Sequence, residues 1–362
     1  MHPVEYGAQC LRGVLNRLEG FDESLIDDVV VGCANPESYL GLGQNLGRLI
    51  AQAADLPDSV PAYTMTRFCS SGLQSIESAA NCIKADEMDV IAVGGCDRMT
   101  GLNLKGDPEG QDEELAKKKP YTYITMGMTA ENVAARYGIS RADMEAMAER
   151  SHKLAWEAQQ AGKFDEEIIP VTAPLDGGTI VFDKDEGIRP GTTAEKLAAL
   201  EPCFKKDGLV TAATSSQMTD GAAFVVLMAR ETAEKLGYKP IARFLGFAVA
   251  GVPAEIMGIG PVEAVPKVMK RTGLTIGDMD VIELNEAFAS QALAVIRELG
   301  MPMEKVNPNG GAMALGHPLG ATGTILTCKI LSELKRRGGK YGLVTMCIGG
   351  GQGAAGIWEM ED

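Results

Sequence analysis

Short runs of branched apolar residues alternate along this chain with stretches of helical spacing, and most of the runs end in glycine or other small residues. Residues 4–18 carry apolar side chains at helical intervals, and residues 27–33 (DDVVVGC) then read as a buried strand that stops at the turn residues Ala34, Asn35 and Pro36. Residues 46–54 read as a second helix. Residues 62–66 are strand-like and lead directly to Cys69, after which a helix through Ile83 and a strand over 89–93 finish at Gly94 and Gly95. This is the order of an α/β protein. With 362 residues the chain exceeds the usual size of one hydrophobic core, so two or more domains are expected.

The pattern breaks after residue 95. Residues 101–120 (GLNLKGDPEGQDEELAKKKP) are polar and turn-rich, which predicts a surface excursion with a solvated charge run. Helical stretches follow at 129–137 and 142–160, the second entered through Ser140 with Asp143 three residues on, a variant of the capping box. The buried apolar pattern returns at 220–228 (DGAAFVVLM), and α/β alternation resumes from Ile241. The expected organisation is a first α/β half of residues 1–95 plus 216–240, an inserted lobe of 96–215 and a second half of 241–362. Cys69-Ser70-Ser71-Gly72, a helix, DVIAVGG and a glycine turn are loosely echoed by residues 317–323, a helix, GLVTMCIGGG and a glycine turn. An internal duplication is one reading of that echo; the general frequency of helix-then-strand units in α/β chains is the other.

Composition removes several function classes. A formal charge of −15 argues against general affinity for nucleic-acid phosphates, while leaving room for a local basic patch that holds a small anionic ligand. No apolar run is long enough to span a membrane. Eight cysteines show no C-x-x-C pairing, so reduced thiols in a cytoplasmic compartment are expected rather than a disulfide framework or a zinc site.

Four stretches gather chemically useful residues. In MTRFCSSGLQSI (65–76), Cys69 stands at a polar turn ahead of a helix-capable run. A thiolate there would face backbone N–H groups at a helix start, where the dipole and unpaired donors lower a thiol pKa; a packed core cysteine is the alternative. NPNGGAMALGHPLGATG (307–323) surrounds His317 with small residues that let backbone approach a ligand, and histidine accepts a thiol proton near neutral pH. Of the three histidines, His2 lies at the start and His152 reads as a surface or packing residue, which leaves His317 as the candidate base, or as a residue that merely satisfies a tight turn. MCIGGGQG (346–353) ends a strand with Cys347 at a glycine-rich turn whose amides suit an oxyanion. A phosphate cradle is the competing use, but no Walker lysine follows and the dinucleotide fingerprint is absent. ELNEAFAS (283–290) puts Asn285 and Glu286 at a strand-to-helix junction, where helix capping by Asn285 is the simpler role.

Together these stretches resemble the thiolase family, matching its nucleophile segment (TRFCSSG), its NEAFA, its GHPLGATG and its C-x-G-G-G-x-G. The likeness continues through MGMTAEN (126–132), DEGIRPGTT (185–193), SSQMTDGAA (215–223) and GVPAEIMGIGP (251–261), the last three looking most like degradative 3-ketoacyl-CoA thiolases. It implies a thiolase fold: two α/β halves of like topology, each a five-stranded mixed sheet, stacked in layers around buried helices with a loop lobe over the acyl site. It implies Cys69 as the acyl-carrying nucleophile, His317 as its base and Cys347 as a second acid/base. Asn285, through a water held with His317, would form one oxyanion site, and the amides of Cys69 and Gly349 the other. Ser216 and Arg189 match positions that contact the pantetheine and nucleotide ends of coenzyme A. Met126, Met257 and Phe288 match the apolar lining of the acyl site, with packing or solvation the alternative for each of these five. The implied reaction cleaves 3-ketoacyl-CoA with CoA, giving acetyl-CoA and a shortened acyl-CoA through an acyl-Cys69 intermediate, as in fatty-acid β-oxidation. The implied protein uses no metal or redox cofactor and forms a homodimer or a dimer of dimers.

The chain departs from the family pattern in places. Thr66 stands where asparagine is usual, Ala213-Thr214 replaces Gly-Asn ahead of Ser216, and Cys96-Asp97-Arg98 replaces Ala-Glu-Ser. These bear on rate and substrate fit rather than reaction type. Family members typically begin roughly 30 residues earlier, with a strand inside the first sheet, so the sequence is expected to be truncated or its start miscalled. Other functions stay open. One is a biosynthetic acetoacetyl-CoA thiolase, against which Thr125 stands because such members often carry histidine there; another is a CoA- or lipid-binding relic without turnover. A decarboxylating ketoacyl synthase is disfavoured, since only His317 of the two histidines it would need lies in a suitable motif.

Overall fold

A computed structural model describes residues 1–36, 45–102 and 110–361; residues 103–109 of the polar excursion lie outside them. The helix Pro3–Leu15 opens the chain, with proline in its first turn and the His2 ring accepting from the Val4 N–H. β1 (Asp28–Gly32), β2 (Ala62–Met65) and β3 (Val90–Asp97) follow, β1 lying between the other two and parallel to both. All of β1 and β3 is buried, which is why they read as unbroken apolar runs rather than alternating ones. The lobe contributes the helices Met126–Tyr137 and Arg141–Gln160 and a separate hairpin of β4 (Val171–Leu175) and β5 (Gly178–Phe182). Ser140 and Asp143 form the reciprocal capping box. β6 (Gly221–Met228) then returns antiparallel to β3, giving the order β2-β1-β3-β6. The second half supplies β7 (Ala242–Gly251), β8 (Val281–Leu284), β9 (Tyr341–Ile348) and β10 (Gln352–Met360), in the order β7-β10-β9-β8.

The two halves repeat one topology. β8 runs parallel to β9 and β9 antiparallel to β10, as β1 does to β3 and β3 to β6. The helix Leu319–Arg337 precedes β9 as the helix Ser71–Lys84 precedes β3. A single parallel bridge between Ile282 and Val306 stands where β2 stands beside β1. Each sheet has four hydrogen-bonded strands among the described residues, not five. The physical reason in the second half is Asn307: its side-chain amide accepts from the Leu284 N–H and donates to the Leu284 C=O, both at 2.8 Å, where a fifth strand's backbone would sit. Nor does the first sheet lack an interior strand, because β1 and β3 each have a hydrogen-bonded neighbour on both sides.

Apolar side chains from both sheets and both central helices share one cluster: Val30, Ile91 and Val93 from the first sheet, Leu73, Ile76, Leu326 and Ile330 from the helices, Val344 and Met346 from the second. Separate clusters cover the outer faces, so the layers run helix, sheet, helix, sheet, helix. The central helices cross with their N-terminal turns in contact. A β-carbon on Gly323 would collide with the Leu73 backbone, one on Gly72 would come within 2.7 Å of Thr324 Oγ1, and that hydroxyl donates to the Gly72 C=O at 3.2 Å. Only glycine permits this approach.

One buried carboxyl faces the central layer without a hydrogen-bond partner among the described residues. Glu283 on β8 is fully buried near Lys329, Glu167, Glu286 and Glu333, and burial pushes its pKa up to about 8. Its folded-state pKa lies above the unfolded value, so the native state holds the extra proton and loses stability as pH rises from about 4.5 towards 8, by on the order of a few kcal/mol at most. Glu283→Gln should therefore raise the thermal midpoint at pH 8 and change it much less at pH 5, as followed by circular dichroism.

Candidate active site

β2 ends at Met65 and the chain turns sharply into a short 3-10 segment, Phe68–Ser70, ahead of the helix Ser71–Lys84. Phe68 takes a left-handed backbone conformation (φ +44), and Ser71 Oγ locks the turn by accepting from the Arg67 N–H at 2.8 Å and donating to the Phe68 C=O at 2.7 Å. Thr66 Oγ1, at one of the departures from the family pattern, donates to the Ala34 C=O and accepts from the Phe68 N–H, tying this turn to the end of β1. Cys69 sits in the turn, buried, with its own N–H and that of Gly349 directed at its sulfur. These donors lower the thiol pKa, yet burial outweighs them, the Asp97 charge adds to it, and the thiol is pushed up to about 11. The lowering expected from a helix start is thus overridden by desolvation.

Gly349 belongs to the turn after β9, and Cys347 lies just before that strand's end. Cys347 is fully buried, and its pKa is raised by burial and by the nearby Cys69. The two buried sulfurs therefore lie near one another, away from water. β8 runs beside β9 and extends its ladder through the Asn285 N–H to the Thr345 C=O at 3.0 Å, placing the Asn285 side chain at the same sheet end. Asn285 does not cap a helix: the next helix is Ala289–Leu299 with Phe288 at its N-cap. Its Nδ2 instead lies 3.3 Å from His317 Nε2.

His317 precedes the helix Leu319–Arg337, whose N-terminal end packs on the Cys69 turn. Its Nδ1 lies 2.6 Å from Thr322 Oγ1, which donates in turn to the Pro318 C=O at 3.1 Å. A hydroxyl committed to that carbonyl accepts from Nδ1–H, and the Asn285 amide donates to Nε2, so both contacts select the tautomer with an unprotonated, proton-accepting Nε2. Burial lowers the ring's pKa to about 4, so it is neutral and proton-accepting at physiological pH. Asp97, another departure residue, accepts from the Ala34 N–H at 2.8 Å and the Gly320 N–H at 2.7 Å, joining the first sheet to the histidine turn.

The apolar residues named from sequence gather beside this centre. Met257, Phe288 and Cys347 share one cluster, against which Met126 packs. The half-buried Ser216 is held there by its N–H to the Ala287 C=O at 2.9 Å. Arg189 stands apart, exposed on the lobe, with its N–H donating to His152 Nδ1 at 3.2 Å. His152 is buried and supports the Arg189 loop, so it is no surface residue. Two further participants went unread: Thr322, visible in the sequence only as a hydroxyl five residues past His317, and Phe204, whose ring meets Phe288 edge-on at 6.0 Å. Phe204 carried no signal, since its neighbours in the chain are polar loop residues. Among the described residues no cluster of three or more acidic, cysteine or histidine side chains is placed to hold a metal, and no helix is long and apolar enough to cross a membrane.

Family models match both halves: the thiolase N-terminal domain matches residues 1–231 and the thiolase C-terminal domain residues 238–360. The chain belongs to the thiolase family. This thiolase is 50% identical to the 3-ketoacyl-CoA thiolase of Bacillus subtilis (strain 168), over 99% of its own length and 94% of that protein. It is 43% identical to the acetyl-CoA acetyltransferase of Chromobacterium violaceum, covering 97% and 92% of the two chains. Among solved structures, the Bacillus anthracis acetyl-CoA acetyltransferase superposes with a TM-score of 0.90 at 39% identity, covering 99% of this chain and 93% of that one. The protein is thus an acyltransferase acting on CoA thioesters. Thr322→Val, which keeps the shape of the side chain but removes the acceptor for Nδ1–H, should cost about 1–3 kcal/mol of transition-state stabilisation; kcat measured against the parent enzyme checks it.

Proposed function

We propose that this thiolase cleaves 3-ketoacyl-CoA with free CoA, releasing acetyl-CoA and an acyl-CoA shortened by two carbons. The reading is supported by two buried cysteine sulfurs near one another, the Cys69 and Gly349 N–H groups beside the first sulfur, and an imidazole whose unprotonated Nε2 meets the Asn285 amide on the helix-leading turn that packs against the Cys69 turn. His317 Nε2 takes the Cys69 thiol proton as the sulfur attacks the 3-keto carbon. A carbonyl bonded to Cys69 lies within reach of the Cys69 and Gly349 amides, which stabilise its oxyanion. Collapse breaks the C2–C3 bond and leaves the acyl group on sulfur. The electron pair passes into the acetyl-CoA enolate, whose oxygen is held by His317 and an Asn285-bound water, and Cys347 protonates its carbon. The Cys347 thiolate then takes the proton of incoming CoA, whose sulfur attacks the acyl thioester. Cys69 leaves and recovers its proton from the imidazolium. Met126, Met257 and Phe288 line the acyl chain, and Ser216 and Arg189 hold the pantetheine and nucleotide ends of CoA. No metal or redox cofactor enters these steps.

The raised thiol and lowered imidazole pKa values support a resting pair that stays neutral until a carbonyl is present. Incubation with 3-ketoacyl-CoA and intact-mass spectrometry should show an acyl adduct on Cys69 that free CoA discharges, with none on Cys69→Ala. Binding without an adduct would support a non-catalytic CoA-binding protein instead. The biosynthetic reading, condensation of two acetyl-CoA, is favoured by the names of the Chromobacterium violaceum relative and the Bacillus anthracis structure, and Thr125 stands against it. Turnover confined to the four-carbon substrate would decide for condensation; turnover of longer chains decides for the degradative enzyme.

A further inference from the structure

The second acidic residue of ELNEAFAS is absorbed by none of these steps. Glu286 is completely buried one residue beyond Asn285, and donors from two other segments converge on it. Asn307 Nδ2 donates to Oε1 at 2.8 Å, while Ser151 Oγ at 2.6 Å and the Met313 N–H at 3.4 Å approach Oε2. Ser151, on the lobe helix Arg141–Gln160, accepts from the Gly311 N–H at 3.0 Å, so its own proton points to the carboxylate. Gly311 lies flat against the carboxyl, where a β-carbon would collide with it. Arg150, the residue before Ser151 on the lobe helix, donates to the Met303 and Val306 carbonyls at 2.9 and 2.8 Å and supplies the nearby positive charge. Residues 307–316 lead directly to His317, and Glu286 holds that loop at Asn307, Gly311 (through Ser151) and Met313, while Asn309 is held from its other side by the buried Glu333 at 2.8 Å and by Lys163 at 2.9 Å.

We propose that Glu286 is a positioning residue for the His317–Asn285 pair, its carboxylate and the lobe's Ser151 together fixing the loop that delivers the imidazole. The inference rests on the thiolase reading for its link to turnover. In Glu286→Gln, an amide N–H₂ would replace one acceptor oxygen and face either Asn307 Nδ2 or the Ser151–Met313 donors, so the loop must shift to relieve a donor–donor contact. Removing Ser151 Oγ acts on the same joint from the lobe side.

Glu286→Gln, Ser151→Ala and the double variant, with His317→Ala as reference, would be compared for thermal midpoint, steady-state kinetics and iodoacetamide labelling of Cys69 at neutral pH. Glu286→Gln should lower kcat about tenfold or more with KM for 3-ketoacyl-CoA within about threefold, because alignment rather than ground-state binding is lost. Labelling of Cys69 should slow to the rate of His317→Ala. Ser151→Ala should give a smaller loss of the same kind, and the double variant should be no slower than Glu286→Gln, since neighbours acting through one joint are not additive. The proposal is overturned if Glu286→Gln labels and turns over within about twofold of the parent, or if the two substitutions multiply. Should Glu286→Gln fail to fold, Ser151→Ala decides alone: parental labelling and kcat in a folded Ser151→Ala overturn it. Labelling needs no turnover, so a parent that forms no acyl adduct would overturn the thiolysis scheme while leaving the role of Glu286 to be read.

Discussion

The site exists because two helices can touch at their N-terminal turns. Gly72 and Gly323 bring the backbones of Ser71–Lys84 and Leu319–Arg337 together, and Thr324 bonds across the contact. Cys69 immediately precedes one helix and His317 the other. Any side chain at the crossing would push the helices apart and carry the thiol away from the imidazole. The sheets on either side then fix what else arrives, since β9 carries Cys347 next to its end and leads into the Gly349 turn, and β8 ends one residue before Asn285.

Burial sets the chemistry of this crossing. The thiols are held protonated and the imidazole neutral because water is excluded, so charge separation awaits a substrate that supplies its own stabilisation. The donors are already in place: two amides at the sulfur and an Asn285–His317–Thr322 chain that fixes the ring and its tautomer. Such a dry, prearranged site favours transition-state charge over resting charge.

Around it, the second half uses side chains where a regular sheet would use backbone. Asn307 completes β8 with its amide, Glu286 gathers the following loop, and Ser151 brings in the lobe. A network of this kind is costly to leave partly satisfied; both oxygens of Glu286 have partners, whereas those of Glu283 do not. The lobe is in this way joined to the loop before His317.

Much of this was legible in the residues. The buried strands, the helices after Cys69 and His317, the Ser140 cap and the four family motifs depend on local pattern and near-neighbour chemistry, which a linear chain records directly. The duplication was audible only as a faint echo, because topology repeats while side chains do not. The effective pKa of Cys69 was not recorded, since a helix start lowers it and desolvation, a property of the whole packed interior, raises it further. Phe204 and Ser151 were silent for the same reason, and His152 could be read only as a surface or packing residue: each matters through a partner distant in the chain. Sequence alone determined which groups are available and what reaction they suit. The tertiary structure decided which of them meet, which proton each holds and which buried carboxylate sets the geometry, because those follow from distance and exclusion of water.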